Sequence, residues 1–153
     1  MGCYTANMDD WRARLVTSPD GMARIVRETR RIAVLGIKPE TRADRPAFYV
    51  PEYMLRQGYD VVPVPVYYPE VTTILGRPVY RTVSAVPRPI DMVNVFRQPR
   101  DIPPHLPDLL AARPRVVWFQ LGIVHDEATA QLAQAGIEVV QDRCLLVEHR
   151  RLH

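Results

Sequence analysis

The chain has 153 residues, of which 47% are hydrophobic and 24% charged, with a formal net charge of +3. That length suits one domain able to bury a core without disulfide staples, and no run approaches the roughly 18 apolar residues of a membrane span. The 20 basic and 17 acidic residues are interleaved, with no basic run longer than Arg30-Arg31 or Arg150-Arg151, so nucleic-acid binding is not expected.

Met1–Asp10 lacks the positive start and apolar run of a secretory signal, which makes a cytoplasmic location the expectation. Asp9-Asp10 ahead of Trp11, and then Ser18-Pro19-Asp20, are helix-start signals. One or two helices are therefore predicted within residues 9–29, ending near Arg30. Ile32–Leu35 is a short apolar run closed by Gly36, the profile of a parallel strand buried on both faces. A polar loop follows, and Pro46 opens a helix to about Gln57 that Gly58 closes. Pro51 falls inside that helix and predicts a bend or a shorter helix.

Tyr59–Val66 is the second strand, with Pro63 and Pro65 limiting its ladder bonds. After a loop with Gly76 and Pro78, a weak strand is predicted near Val79–Arg81, and Ile90–Phe96 reads as a central strand. The proline-rich stretch 99–107 leads into a helix to about Arg113. Arg115–Leu121 is a strand ended by Gly122, Asp126–Ala135 a helix ended by Gly136, and Ile137–Gln141 the last strand before a short helical tail.

This alternation predicts an α/β fold: a doubly wound, mainly parallel, Rossmann-like sheet in a three-layer α/β/α arrangement. The first strand is expected to be central, with a ligand crevice at the carboxyl ends of Ile32–Leu35 and Ile90–Phe96. Residues 1–30 are expected to form a helical extension packed on a domain spanning residues 31–153.

The loop Gly36–Pro46 bears on the ligand. A dinucleotide site needs a second and third glycine there and an acid at the end of the second strand. The loop has one glycine, the second strand ends Val62-Pro63-Val64-Pro65-Val66, and Asp60 lies at its beginning. NAD is disfavoured, and no Walker pattern supports ATP or GTP hydrolysis. Lys38, Arg42 and Arg45 just ahead of a helix N-terminus instead suit a phosphate or pyrophosphate. The alternative is that they simply solvate a surface loop.

Six segments in this order and spacing resemble the coenzyme A-binding domain proteins, small stand-alone relatives of the nucleotide-binding domain of the succinyl-CoA synthetase α subunit. They are Ile32–Gly36, Arg45–Ala47, Gly58–Val64, Asp91–Arg97, Val117–Ile123 and Asp142–Cys144. The resemblance covers about Arg31–Leu152. It implies a bound coenzyme A or acyl-CoA, with Gly36, Ile37, Lys38, Arg45 and Pro46 at the pyrophosphate. It further implies Val64 and Pro65 beside the adenosine, and Phe96 and Arg97 along the pantetheine arm. No nucleic acid or membrane partner follows from it, and the chain is expected to be a monomer or weak homodimer.

Two departures stand out. The family often reads Pro-Val-Asn-Pro where this chain has Pro63–Val66, and Phe-Arg-Pro-Pro where it has Phe96–Pro99. A weaker affinity for coenzyme A, or a different nucleotide preference, is the corresponding expectation.

No acid–base constellation is evident. His105, His125, His149 and His153 show no metal-ligand spacing, nor do Cys3 and Cys144, whose separation also argues against a structural disulfide. His125 is expected to cap a helix or lie on the surface. Cys144, beside Arg143, is either a buried small residue or a thiol activated by the guanidinium. The two readings left open are a non-catalytic coenzyme A or acyl-CoA binding protein, and an enzyme or regulator acting on another nucleotide-linked substrate (an acyl-CoA or NAD(P)-type ligand), with Cys144 as a candidate reactive thiol or residues supplied by a second subunit.

Overall fold

Short Val- and Ile-rich runs bury both faces only between two layers of helices. Five of them form one parallel sheet in the computed structural model, which describes residues 10–152. The strands in chain order are β1 (Arg31–Leu35), β2 (Asp60–Val64), β3 (Thr73–Ile74), β4 (Arg77–Pro78), β5 (Met92–Val95), β6 (Val116–Phe119) and β7 (Glu138–Val140). The helices are α1 (Pro19–Glu28), α2 (Pro46–Arg56), α3 (Leu106–Ala112), α4 (Asp126–Gln134) and α5 (Leu145–Arg150). Cys3, the Asp9 helix-start signal and His153 lie outside the described residues.

The sheet order is β2-β1-β5-β6-β7, with β3 and β4 a separate antiparallel pair. The chain leaves β1 toward β2 and then crosses back to β5 on the other side of β1, which places the topological switch point between β1 and β5. β1 is internal as expected, although β5 rather than β1 holds the middle of the sheet. The register aligns Leu35 with both Val64 and Val95, and Val95 with Phe119, so the carboxyl ends of four strands finish level.

Alternation along the strands divides the core in two. Ala33, Leu35, Val93, Val95, Val117 and Phe119 face α3 and α4. Ile32, Val34, Met92 and Trp118 face α1, α2 and α5. Each large side chain fully buried in this way contributes about 1.5–3 kcal/mol. Trp118 and Phe119, both with no exposed surface, are core rather than stacking platforms.

Local chemistry explains the boundaries. Ser18 caps α1 by accepting the Gly21 N–H at 3.0 Å, with Pro19 at the first helical position. Ahead of it, Trp11–Arg14 is a 3-10 turn, and Leu15 bridges Val139 at the β7 edge. β2 is shorter than the predicted Tyr59–Val66, yet Pro63 sits within it at no cost to the ladder. β2 is an edge strand, and the outward side of Pro63 presents its carbonyl to Tyr80 N–H at 2.9 Å. The strand predicted at Val79–Arg81 does not form. Pairing occurs earlier, at Arg77–Pro78 against Thr73–Ile74, across a turn in which Leu75 and Gly76 both have positive φ, 56° and 72°. Gly76 and Pro78 mark the loop, but Leu75 carries no glycine signal that would mark the hairpin within it.

Pro51 is accommodated without breaking α2. It has no N–H to reach the Ala47 carbonyl one turn earlier, and that carbonyl instead accepts the Lys38 N–H at 3.1 Å. The proline thus leaves an acceptor free for the loop after β1.

Gly36 has φ +86°, and a Cβ there would run into the Phe96 carbonyl oxygen and lie 3.1 Å from its carbon. Gly36→Ala combines a left-handed backbone with a clash against main chain, a loss on the order of 3 kcal/mol. Thermal unfolding of the variant is expected to show a midpoint lowered by about 6–12 °C; an unchanged midpoint would contradict this reading of the turn.

Candidate functional site

The loops leaving β1, β5 and β6 surround a cleft of about 520 Å³ at the carboxyl ends of those strands. Its cationic rim is Lys38 from the β1 loop, Arg45 at the start of α2, and Arg97 and Arg100 after β5. Phe96, Tyr67, Leu121 and Ile123 supply apolar surface, and Gln120 lines it from the end of β6. Asp101 is the one carboxylate among these lining residues.

Of the nine residues named from sequence, Lys38, Arg45, Pro46, Phe96 and Arg97 line this cleft together. Gly36 and Ile37 do not; Ile37 is buried in the core beneath the loop, and Gly36 closes the turn against Phe96. Val64 has no exposed surface, Pro65 is buried, and neither lines the cleft. Arg42 is exposed and stands apart from it, its carbonyl accepting the Arg45 N–H at 3.0 Å. The sequence reading missed Tyr67, Arg100 and Gln120. Gln120 had a usable signal, since it ends a central strand at the same level as Phe96.

Lys38 is half-buried and makes no ion pair among the described residues. Arg45 has only its neighbour Asp44, at 4.0 Å. Arg97 is more firmly held: its side chain is 14% exposed and reaches Asp101 at 3.9 Å. Its Nε donates to His105 Nε2 at 3.1 Å, and its guanidinium lies 5.4 Å from the Tyr67 ring centre. Cations without matching acids, at a helix N-terminus, leave this end of the sheet electropositive.

A smaller hollow of about 150 Å³ lies at the opposite end of β1 and β2. Its charges are engaged with one another, Asp60 accepting from Arg31 at 2.7 Å and from Arg77 at 2.6 Å. Asp60 is therefore a full strand length from the cleft and is not placed to hold a ribose there.

Behind the cleft, Asn94 Nδ2 donates to the Trp118 carbonyl at 3.2 Å and to Gln120 Oε1 at 3.3 Å. Asn94 Oδ1 is buried without a protein partner among the described residues, a cost of about 1–3 kcal/mol. His125 caps α4, its Nδ1 accepting the Ala128 N–H at 3.0 Å. Cys144 precedes α5, packs against the second core cluster and is not a lining residue of the cleft. Among the described residues no group of three or more His, Cys, Asp or Glu is placed to hold a metal ion, and no helix is long and apolar enough to cross a membrane.

The His105 imidazole is pushed below the ordinary histidine range, first by burial and then by the Arg97 charge; Asp108 and Asp101 partly oppose this. Accepting from Arg97 also requires a neutral ring. The unfolded chain binds this proton more readily than the folded one, so the His105 contribution to stability is complete above about pH 6.5 and declines below it. Thermal unfolding is expected to show a smaller loss of midpoint between pH 6.5 and 5 for His105→Gln than for the parent. Identical profiles would remove His105 as the source.

The comparisons with known proteins agree with this architecture. The family model described as "CoA binding domain" matches residues 30–150. An uncharacterized protein of Bacillus subtilis (strain 168), YneT, is 34% identical over 125 residues, covering 82% of this chain and 89% of that protein. The solved structure of cell-free ID.343 from Thermus thermophilus superposes with a TM-score of 0.81 at 40% identity, over 90% of this chain and 100% of the other. A hypothetical protein from Pyrococcus horikoshii OT3 gives a TM-score of 0.79 at 32% identity, over 89% and 92%. With its family pattern running from before β1 into α5, the chain belongs to the CoA binding domain family.

Proposed function

We propose that the protein binds coenzyme A or an acyl-CoA without catalysing its conversion, and that the ligand lies in the cleft at the carboxyl ends of β1, β5 and β6. The observation that carries this reading is the pairing of shape with charge: a cleft at the switch point, with Lys38 and Arg45 lacking strong acidic partners at its rim. The pyrophosphate sits at the β1 loop and the α2 N-terminus, where backbone dipoles and these two cations favour anions. The arm runs past Phe96 and Arg97. Val64 and Pro65 act from behind the loops, setting the end of β2 on the adenosine side. A nucleophile paired with a base is not found around the cleft among the described residues, which supports a carrier or sensor over an enzyme.

Calorimetry with coenzyme A, NAD and ATP is the direct test. Binding of coenzyme A in preference to the other two is expected, and heat with NAD but none with coenzyme A would overturn the proposal. The double variant Lys38→Ala, Arg45→Ala is expected to weaken coenzyme A binding by about 10- to 100-fold, from the loss of charge-assisted contacts. Unchanged affinity would move the pyrophosphate elsewhere.

A further inference from the structure

Gln120 lines the cleft although the residue as a whole is only 4% exposed. Its orientation follows from two groups whose roles cannot be exchanged. The Trp118 carbonyl only accepts, so the Asn94 amide facing it at 3.2 Å is its NH2, and that same NH2 reaches Gln120 at 3.3 Å. The Leu145 backbone N–H only donates, and it also meets Gln120 at 3.3 Å. Both neighbours are donors, so the Gln120 atom between them is its oxygen. Its Nε2 is left with no protein partner among the described residues, yet it is not among the fully buried unpaired atoms. This buried polar side chain of the cleft lining therefore offers a neutral NH2 donor fixed from behind.

The setting indicates what this donor reads. Phe96, Leu121 and Ile123 share the lining with Gln120, whereas the cations come from the β1 loop, the α2 start and the segment after β5. A neutral donor beside apolar surface suits an uncharged acceptor better than a phosphate, which the cations satisfy. We propose that Gln120 Nε2 donates to a carbonyl oxygen of the ligand's arm, an amide or a thioester carbonyl, and so selects ligands with such an arm over bare nucleotides. Asn94 is the positioning residue that holds the carboxamide in this sense. This inference rests on the coenzyme A reading above.

The test compares coenzyme A with adenosine 3′,5′-bisphosphate, which lacks the arm, by calorimetry. Gln120→Glu keeps an oxygen for Asn94 and Leu145 but replaces the donor, and Gln120→Met removes the donor without adding charge. Both variants are expected to weaken coenzyme A at least tenfold while leaving the bisphosphate within about twofold. Should the Glu variant fail to fold, the Met variant carries the comparison. Equal losses for both ligands, or no loss for either, would overturn the role of Gln120 and leave the coenzyme A reading intact. A parent protein that binds the bisphosphate but gains nothing from the arm would also overturn it. Binding of neither ligand by the parent would overturn both.

Discussion

The Phe96 carbonyl lies so near the Gly36 Cα that no Cβ fits between them, and this approach sets how closely the β1 and β5 loops can meet. At a switch point the two loops leave the sheet in opposite directions, which opens a crevice whose floor is wherever they touch. Gly36 closes that floor by packing protein on protein, with its own N–H given to the Val64 carbonyl at 2.9 Å. Single glycine and close packing go together: a pyrophosphate that needed to enter the turn itself would need more glycines, as in dinucleotide sites. In the proposed function anions are met one step further out, by Lys38, Arg45 and the start of α2.

The position of Lys38 depends in turn on Pro51. Without a proline at that point, the Ala47 carbonyl would be taken by the helix ladder; with it, the carbonyl anchors the Lys38 N–H. The same logic of one group freed for another runs through the β6 end. Asn94 leaves an acceptor unpaired in the core, and its amide holds Gln120 against the strand end. Such a cost is tolerated where the retained contacts define a site.

Most of the sheet was legible because buried parallel strands are dense apolar runs punctuated by glycine, as in Ile32–Gly36 and Val116–Gly122. What was not legible lay where backbone geometry departs from residue preference. The β3–β4 hairpin, turning through Leu75 in a left-handed conformation, forms ahead of the strand expected at Val79–Arg81, and Pro63 proved harmless only because β2 is an edge. At the site, residue types marked the cations of the β1 loop and the Phe96-Arg97 pair. They could not distinguish Lys38, which faces the cleft, from Arg42, which does not, nor reveal that Val64 and Ile37 lie beneath the surface. Gln120 escaped because its role comes from contacts with Asn94 and Leu145, distant in sequence.

The central claim is that ligand enters at the carboxyl ends of the strands, and residue-resolved NMR titration with coenzyme A tests it most directly. Amide shift changes are predicted for residues 38, 45, 47, 96–98, 100 and 120–123, around the cleft. Changes confined to Arg31, Asp60 and Arg77, at the opposite end of the sheet, would contradict it.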